Sequence, residues 1–258
     1  MLPYIRTRFA LDRAAPDTVA DMSTPRQWSL LVPLMGLVLA VMFLPVATAR
    51  WVPAPVQPVL GYLVVWLPLM AAVVAAVVIA SRRSGLRWWI ALDLRSTFTG
   101  VLLGAFVGLA VRSIGFVIEL LATGRIAGGV VGIGGGPGLA QILALIAATA
   151  IVAPIVEETF FRGALLPAVV ERSGRPPSGT GVGVLVTAAL FAGVHALAGA
   201  DPLGTVVTFI AGIGFGYVAR SSGLVAAIIA HAVFNASGLA LILVNSPMSP
   251  LRPTLGLG

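Results

Sequence analysis

The sequence predicts an all-α fold, a polytopic bundle of transmembrane helices, and three observations carry that prediction. Of its 258 residues 59% are hydrophobic and only 10% charged, against about 25% charged in a soluble globular domain. Several apolar runs exceed the roughly 18 residues that cross a hydrocarbon layer about 30 Å thick. The sixteen arginines, in a chain without lysine, fall mainly between those runs. Lipid offers no partner to a free backbone N–H or C=O, so runs of this length read as helices. The net charge of +7 forms no basic patch, which argues against a nucleic-acid partner and for anchoring at anionic membrane lipids. With no cysteine, a disulfide framework, a thiolate nucleophile and any sulfur-held metal are excluded.

Along the chain, residues 1–27 mix Arg6, Arg8, Arg13 and Arg26 with Asp12, Asp17 and Asp21 and hold no apolar core of signal-peptide type, so they read as a cytoplasmic arm. Residues 28–122 hold three apolar segments. Trp28 to Ala49 and Val59 to Ala80 are separated by Pro53, Pro55 and Pro58, which prevent one continuous helix. The third runs from Thr97 to Ala122 and includes Arg112 and Glu119; these two pair across two turns or snorkel to opposite edges, and no chemistry is assigned to them. Thr123 to Gly138 carries eight glycines and reads as a loop. It lacks the Gly-Lys-Ser/Thr ending of a phosphate cradle.

Residues 139–245 hold the remaining spans. The fourth segment runs from Leu139 past Pro154 toward Val170, longer than a bilayer needs at about 1.5 Å per residue, so a kink or an extension beyond the membrane is expected near Pro154. Gly181 to Leu197, Leu203 to Val218 and Leu224 to Asn245 complete the set, and residues 246–258 form a tail. The total is seven spans, or eight if the fourth segment is split. With the N-terminus in the cytoplasm, eleven arginines lie on the inner side and three, Arg50, Arg125 and Arg252, on the outer side, while Arg112 and Arg162 sit within spans. That asymmetry predicts a multi-pass integral membrane protein, N-terminus in and C-terminus out, in a bacterial plasma membrane.

Ionisable groups at mid-membrane are costly, by about 2.5–3.5 kcal/mol each on insertion scales, so each asks for a partner or a function. The fourth span holds Glu157, Glu158 and Arg162, the fifth His195, and the seventh His231 and Asn235. Counted from the inner arginines, with the fifth helix starting near Gly181, these groups stand about 16–22 Å along their helices. A carboxylate, two imidazoles and an amide thus reach a similar level on three helices, which points to one site. Glu158 and Arg162 are four apart and share a helix face, which predicts an internal ion pair. Glu157 is turned by about 100° from Glu158 and stays free for chemistry. Phe191 shares a face with His195, and His231 with Asn235.

Glu157-Glu158-Thr159-Phe160-Phe161-Arg162 fits an EExxxR pattern, Phe191 to His195 fits FxxxH, and His231 to Asn235 fits HxxxN. Together, in this order, they resemble the CPBP family of intramembrane proteases, also called the CAAX protease, bacteriocin-processing or Abi family, which includes the Rce1-type prenyl-protein endopeptidases. The resemblance covers residues 139–245. It implies a hydrolase in which Glu157 and His195 activate a water and His231 and Asn235 stabilise the oxyanion, with Glu158, Arg162 and Phe191 in support. It implies as substrate a membrane-embedded or lipidated peptide. A carboxylate in an apolar cavity can take a proton from water, and N–H donors can hold a developing oxyanion. The cofactor is either none or a divalent metal such as zinc, for which Glu157, His195 and His231 would be the ligands.

Other designs fit less well. There is no HExxH helix, Asp201 has no second aspartate to make a dyad, and no histidine follows Asn235-Ala236-Ser237-Gly238 to serve as base to that serine. A non-catalytic scaffold or immunity-type protein of the same fold is one alternative, and a proton-coupled transporter another. A transporter calls for polar residues along several helices or an inverted repeat. Neither is found. The orientation is checked with reporters: a fusion after Arg175 is expected to read cytoplasmic and one near Gly134 external, and the reverse pattern, or both on one side, would sink the topology.

Overall fold

The computed structural model of the protein describes residues 27–47, 57–124, 143–144, 146–174 and 177–245. The N-terminal arm, most of the proline-rich link and of the glycine-rich loop, and the C-terminal tail lie outside these residues. All regular structure among the described residues is helical. The elements are α1 (Leu31–Ala47), α2 (Gln57–Ser84), the short α3 (Trp88–Ala91), α4 (Phe98–Thr123), α5 (148–170), α6 (Ser178–Leu197), α7 (Pro202–Ser222) and α8 (Leu224–Asn245). Five helices are long and apolar enough to cross a membrane, beginning at Leu60, Phe98, Ser178, Pro202 and Leu224. With the 17-residue α1 and the composite α5 they match the seven apolar segments of the sequence. The protein is an integral membrane helical bundle.

The expected irregularity near Pro154 takes a specific form. Helix α5 changes hydrogen-bond period three times without breaking: Ala148–Val152 is π-helical, Ala153–Glu158 α-helical, Thr159–Leu165 π-helical and Leu166–Val170 α-helical. Each π stretch ends two residues before a proline, Pro154 or Pro167. A proline has no N–H to donate and its ring crowds the carbonyl four residues back; a wide turn just ahead of it relieves that crowding and keeps the helix going.

Helix α4 packs on α8 through a stripe that the sequence reading did not single out. Gly100, Gly104 and Gly108 are buried at four-residue intervals. A Cβ at Gly104 would strike the carbonyl of Ala226, and one at Gly108 that of Ala230. In lipid, where apolar burial gives no drive between helices, close backbone approach over small residues supplies the packing energy. Arg112 continues the stripe one turn further. Its Nε donates to the carbonyl of Phe234 at 3.0 Å, and its guanidinium carbon lies 3.6 Å from that ring's centroid, while Gly238 leaves it room. Arg112 therefore pins α4 to α8.

The connections bearing Arg95, Arg172 and Arg220 meet at one end of the bundle. Leu224 N donates to Asp93 O at 3.0 Å, and Trp28 N donates to Glu171 Oε2 at 3.0 Å while Arg172 Nη1 donates to Trp28 O at 3.2 Å. At the other end, Asp201 caps α7 by accepting from Gly204 N at 2.6 Å, an N-cap in the usual sense.

The stripe makes a prediction. Gly108→Ala overpacks a backbone contact and is expected to cost about 1–3 kcal/mol, read as a lower thermal midpoint in detergent. Gly193→Ala, where an added Cβ meets nothing within 4 Å, is the control. Equal midpoints for the two variants would count against close α4–α8 packing.

Candidate active site

Three helices deliver the four polar residues to one cavity of about 230 Å³, as the depth argument expects: Glu157, His195, His231 and Asn235 all line it, with Tyr62 of α2 and Thr208 of α7 on the remaining walls. Beneath it lies the ion pair. Glu158 is fully buried and Arg162 is 4% exposed, and Arg162 Nη1 donates to Glu158 Oε1 at 3.0 Å. The guanidinium reaches α7 through Nη2, which donates to Gly212 O at 2.9 Å, and lies against the ring of Phe191 at 4.8 Å. Glu158 Oε1 accepts a second bond, from His231 Nδ1 at 2.8 Å. The expected pair is thus a triad that ties α5 to both α7 and α8.

Both imidazoles have one nitrogen committed, and the partner fixes which one carries hydrogen. His195 Nδ1 bonds the carbonyl of Phe191 at 2.9 Å. A carbonyl only accepts, so Nδ1 holds the hydrogen and Nε2 of the neutral ring offers a lone pair. His231 Nδ1 likewise donates to Glu158, an oxygen already accepting from Arg162. Each Nε2 then lies 3.9 Å from the same atom, Glu157 Oε2. Aromatic rings hold the planes in place: Phe191 meets His195 edge-on at 4.5 Å, and Phe215 stacks on His231 at 4.9 Å. Phe191 therefore acts through its ring and its carbonyl together.

Asn235 is oriented by the irregular start of α5. Its Nδ2 donates to Thr149 O at 2.8 Å. In the π turn Ala153 N bonds Ala148 O, so the next donor in that register, for Thr149 O, would be residue 154. That residue is proline. Pro154 has no N–H to offer that carbonyl, and Asn235 donates to it, which leaves its second amide hydrogen for the cavity.

Among the described residues no group of three or more His, Asp or Glu side chains is arranged to hold a metal ion. Ligands at about 2.0–2.2 Å in a tetrahedral shell stand closer together than the 3.9 Å between Glu157 and each imidazole. The three residues do not fit a zinc site in this arrangement, and no step is drawn through one.

Tyr62, Thr149, Thr208 and Phe215 also line the cavity, and the sequence reading missed them. No local pattern marks them: a tyrosine near a helix start or a threonine in an apolar run is unremarkable until the bundle closes. No curated protein and no solved structure matches the chain. Residues 139–237 match the family model described as Type II CAAX prenyl endopeptidase Rce1-like. That span begins where the fourth apolar segment begins and holds Glu157, His195, His231 and Asn235 together, so this stretch is similar to the family that the three motifs resemble.

Proposed function

We propose that the protein is an intramembrane endopeptidase that hydrolyses membrane-embedded or lipid-anchored peptides with a water activated by Glu157 and His195. The observation that carries this reading is the pair of acceptors, Glu157 Oε2 and His195 Nε2, 3.9 Å apart in the cavity. One water can donate a hydrogen to each at ordinary hydrogen-bond length. Its oxygen is then the atom left to attack a carbonyl. As the carbon–oxygen bond forms, Glu157 takes the water's proton; as the carbon–nitrogen bond breaks, that proton passes to the leaving amine.

Asn235 donates its free amide hydrogen to the oxyanion. His231 donates from Nε2 only as the imidazolium, because its Nδ1 hydrogen is committed to Glu158. The four helices α5 to α8 form the catalytic core, with α1, α2 and α4 as a buttress. A helical substrate hides its carbonyls, so cleavage falls at a frayed end or an extended tail.

Mutation tests the division of labour. Glu157→Gln is expected to lower turnover by about 10²–10⁴-fold with the thermal midpoint retained. Glu158→Ala or Arg162→Ala strands a buried charge at a cost of about 3–5 kcal/mol and is expected to lower the folded yield. Wild-type turnover in the Glu157 variant would remove the proposed base.

The oxyanion donors are tested by kinetics. Asn235→Ala and His231→Ala are expected to reduce kcat by about 10²–10³-fold with KM little changed. A chelator is expected to leave the rate unchanged. Stoichiometric zinc in active protein, with activity lost on chelation and restored by zinc, would reassign both histidines as ligands.

A further inference from the structure

The cavity is not centred between the two ends of the bundle. Phe215 and His231, at its floor, are each seven residues from the helix ends that join α7 to α8 beside Arg220, about 10 Å at the helical rise. The opposite wall residues sit near the other end. His195 is two residues before the end of α6, Tyr62 five after the start of α2 and Thr208 six after the start of α7, or about 3–9 Å from those termini. The sequence reading began α6 at Gly181; the helix begins at Ser178, and His195 lies close to the turn formed by residues 198–201.

Exposure follows the same direction. The side chain of His195 is 36% exposed, that of Glu157 17% and that of His231 5%, and Glu158 is at zero. Below Glu158 the way toward the arginine-bearing end is filled. Phe160, Leu165, Leu166 and Val184 are fully buried there, with the Arg162 guanidinium bonded to Gly212 O across the same level. Water and an extended chain therefore have a graded path from the end that bears the 198–201 turn and a packed layer on the other side.

Building on the peptidase reading, we infer that the substrate's scissile segment enters from the arginine-poor face of the membrane, the face of the 198–201 turn. With Arg82, Arg83, Arg87, Arg95, Arg172 and Arg220 at the opposite end, positive-inside orientation makes this the extracytoplasmic face. The substrate class is then a membrane-anchored peptide whose cleaved segment is exposed outside the cytoplasm.

The chain has no cysteine, so single-cysteine variants report access without a background. In sealed spheroplasts, a membrane-impermeant maleimide is applied to Ala198→Cys on the turn, Thr208→Cys in the cavity wall and Ser96→Cys beside the arginines, with the same variants in opened membranes as reference. The expected result is labelling of Ala198→Cys and Thr208→Cys in sealed cells and of Ser96→Cys only after opening. Tyr62→Cys, on the facing wall, is expected to follow Thr208→Cys and stands in for it if that variant fails to accumulate. Cavity cysteines that react only together with Ser96→Cys, or that react from neither side while Ala198→Cys reacts, would overturn the inference. Labelling needs no turnover, so loss of the peptidase reading in the Glu157→Gln assay is a separate outcome.

Discussion

One carboxylate oxygen joins the helices that line the cavity. Glu158 Oε1 accepts from Arg162 Nη1 and from His231 Nδ1, and Arg162 passes the connection to the backbone of Gly212. In a medium without water a buried charge persists only where its partners are in place, and these bonds join α5 to both α7 and α8. Gly212 contributes twice. Its carbonyl receives Arg162, and its missing side chain lets α7 approach Ala188 on α6. Phe191 of α6 completes the enclosure by lying against the guanidinium.

From that anchor the chemistry of the neighbouring residues follows by exclusion. Glu157 is one residue before it and turned away, so it escapes the triad and faces the cavity. His231 has spent its Nδ1 hydrogen on Glu158, and its other nitrogen turns to Glu157. The π turn before Pro154 does the same for Asn235, since the proline has no N–H to offer and the Asn235 amide donates to Thr149 O. Each functional side chain is oriented by a bond made on its far side, which is how a site built on rigid helices reaches the precision that catalysis needs.

The N-terminal helices, which carry none of the three motifs, have a mechanical part. Gly104 and Gly108 of α4 let its backbone lie against Ala226 and Ala230 of α8, Gly100 lies against Ser222 at the end of α7, and Arg112 fixes the sliding coordinate by bonding Phe234 O. His231 and Asn235 each follow a contact residue of this stripe by one position, which turns them about 100° from it. The face that meets α4 is thereby separated from the face that meets the site.

The sequence by itself determined the helical membrane architecture, because lipid permits few alternatives for long apolar runs, and it singled out four residues that line one cavity, because ionisable residues are so sparse in those runs that their positions stand out. The Glu158–Arg162 pair was legible from four-residue spacing alone. Tertiary structure decided what has no local signature. The sharing of Glu158 with His231 needs two helices brought within hydrogen-bond range, and the commitment of Asn235 to Thr149 needs both a proline and a partner 86 residues away. Arg112 illustrates the limit: seven-residue spacing pointed to Glu119 or to an escape to the edge, and the fold adds a carbonyl and an aromatic face on α8 that no spacing could show. Which end of the bundle the cavity approaches was also beyond the sequence, because helix starts and ends are set by caps and packing, and a three-residue difference at Ser178 moves the outlook of a whole site.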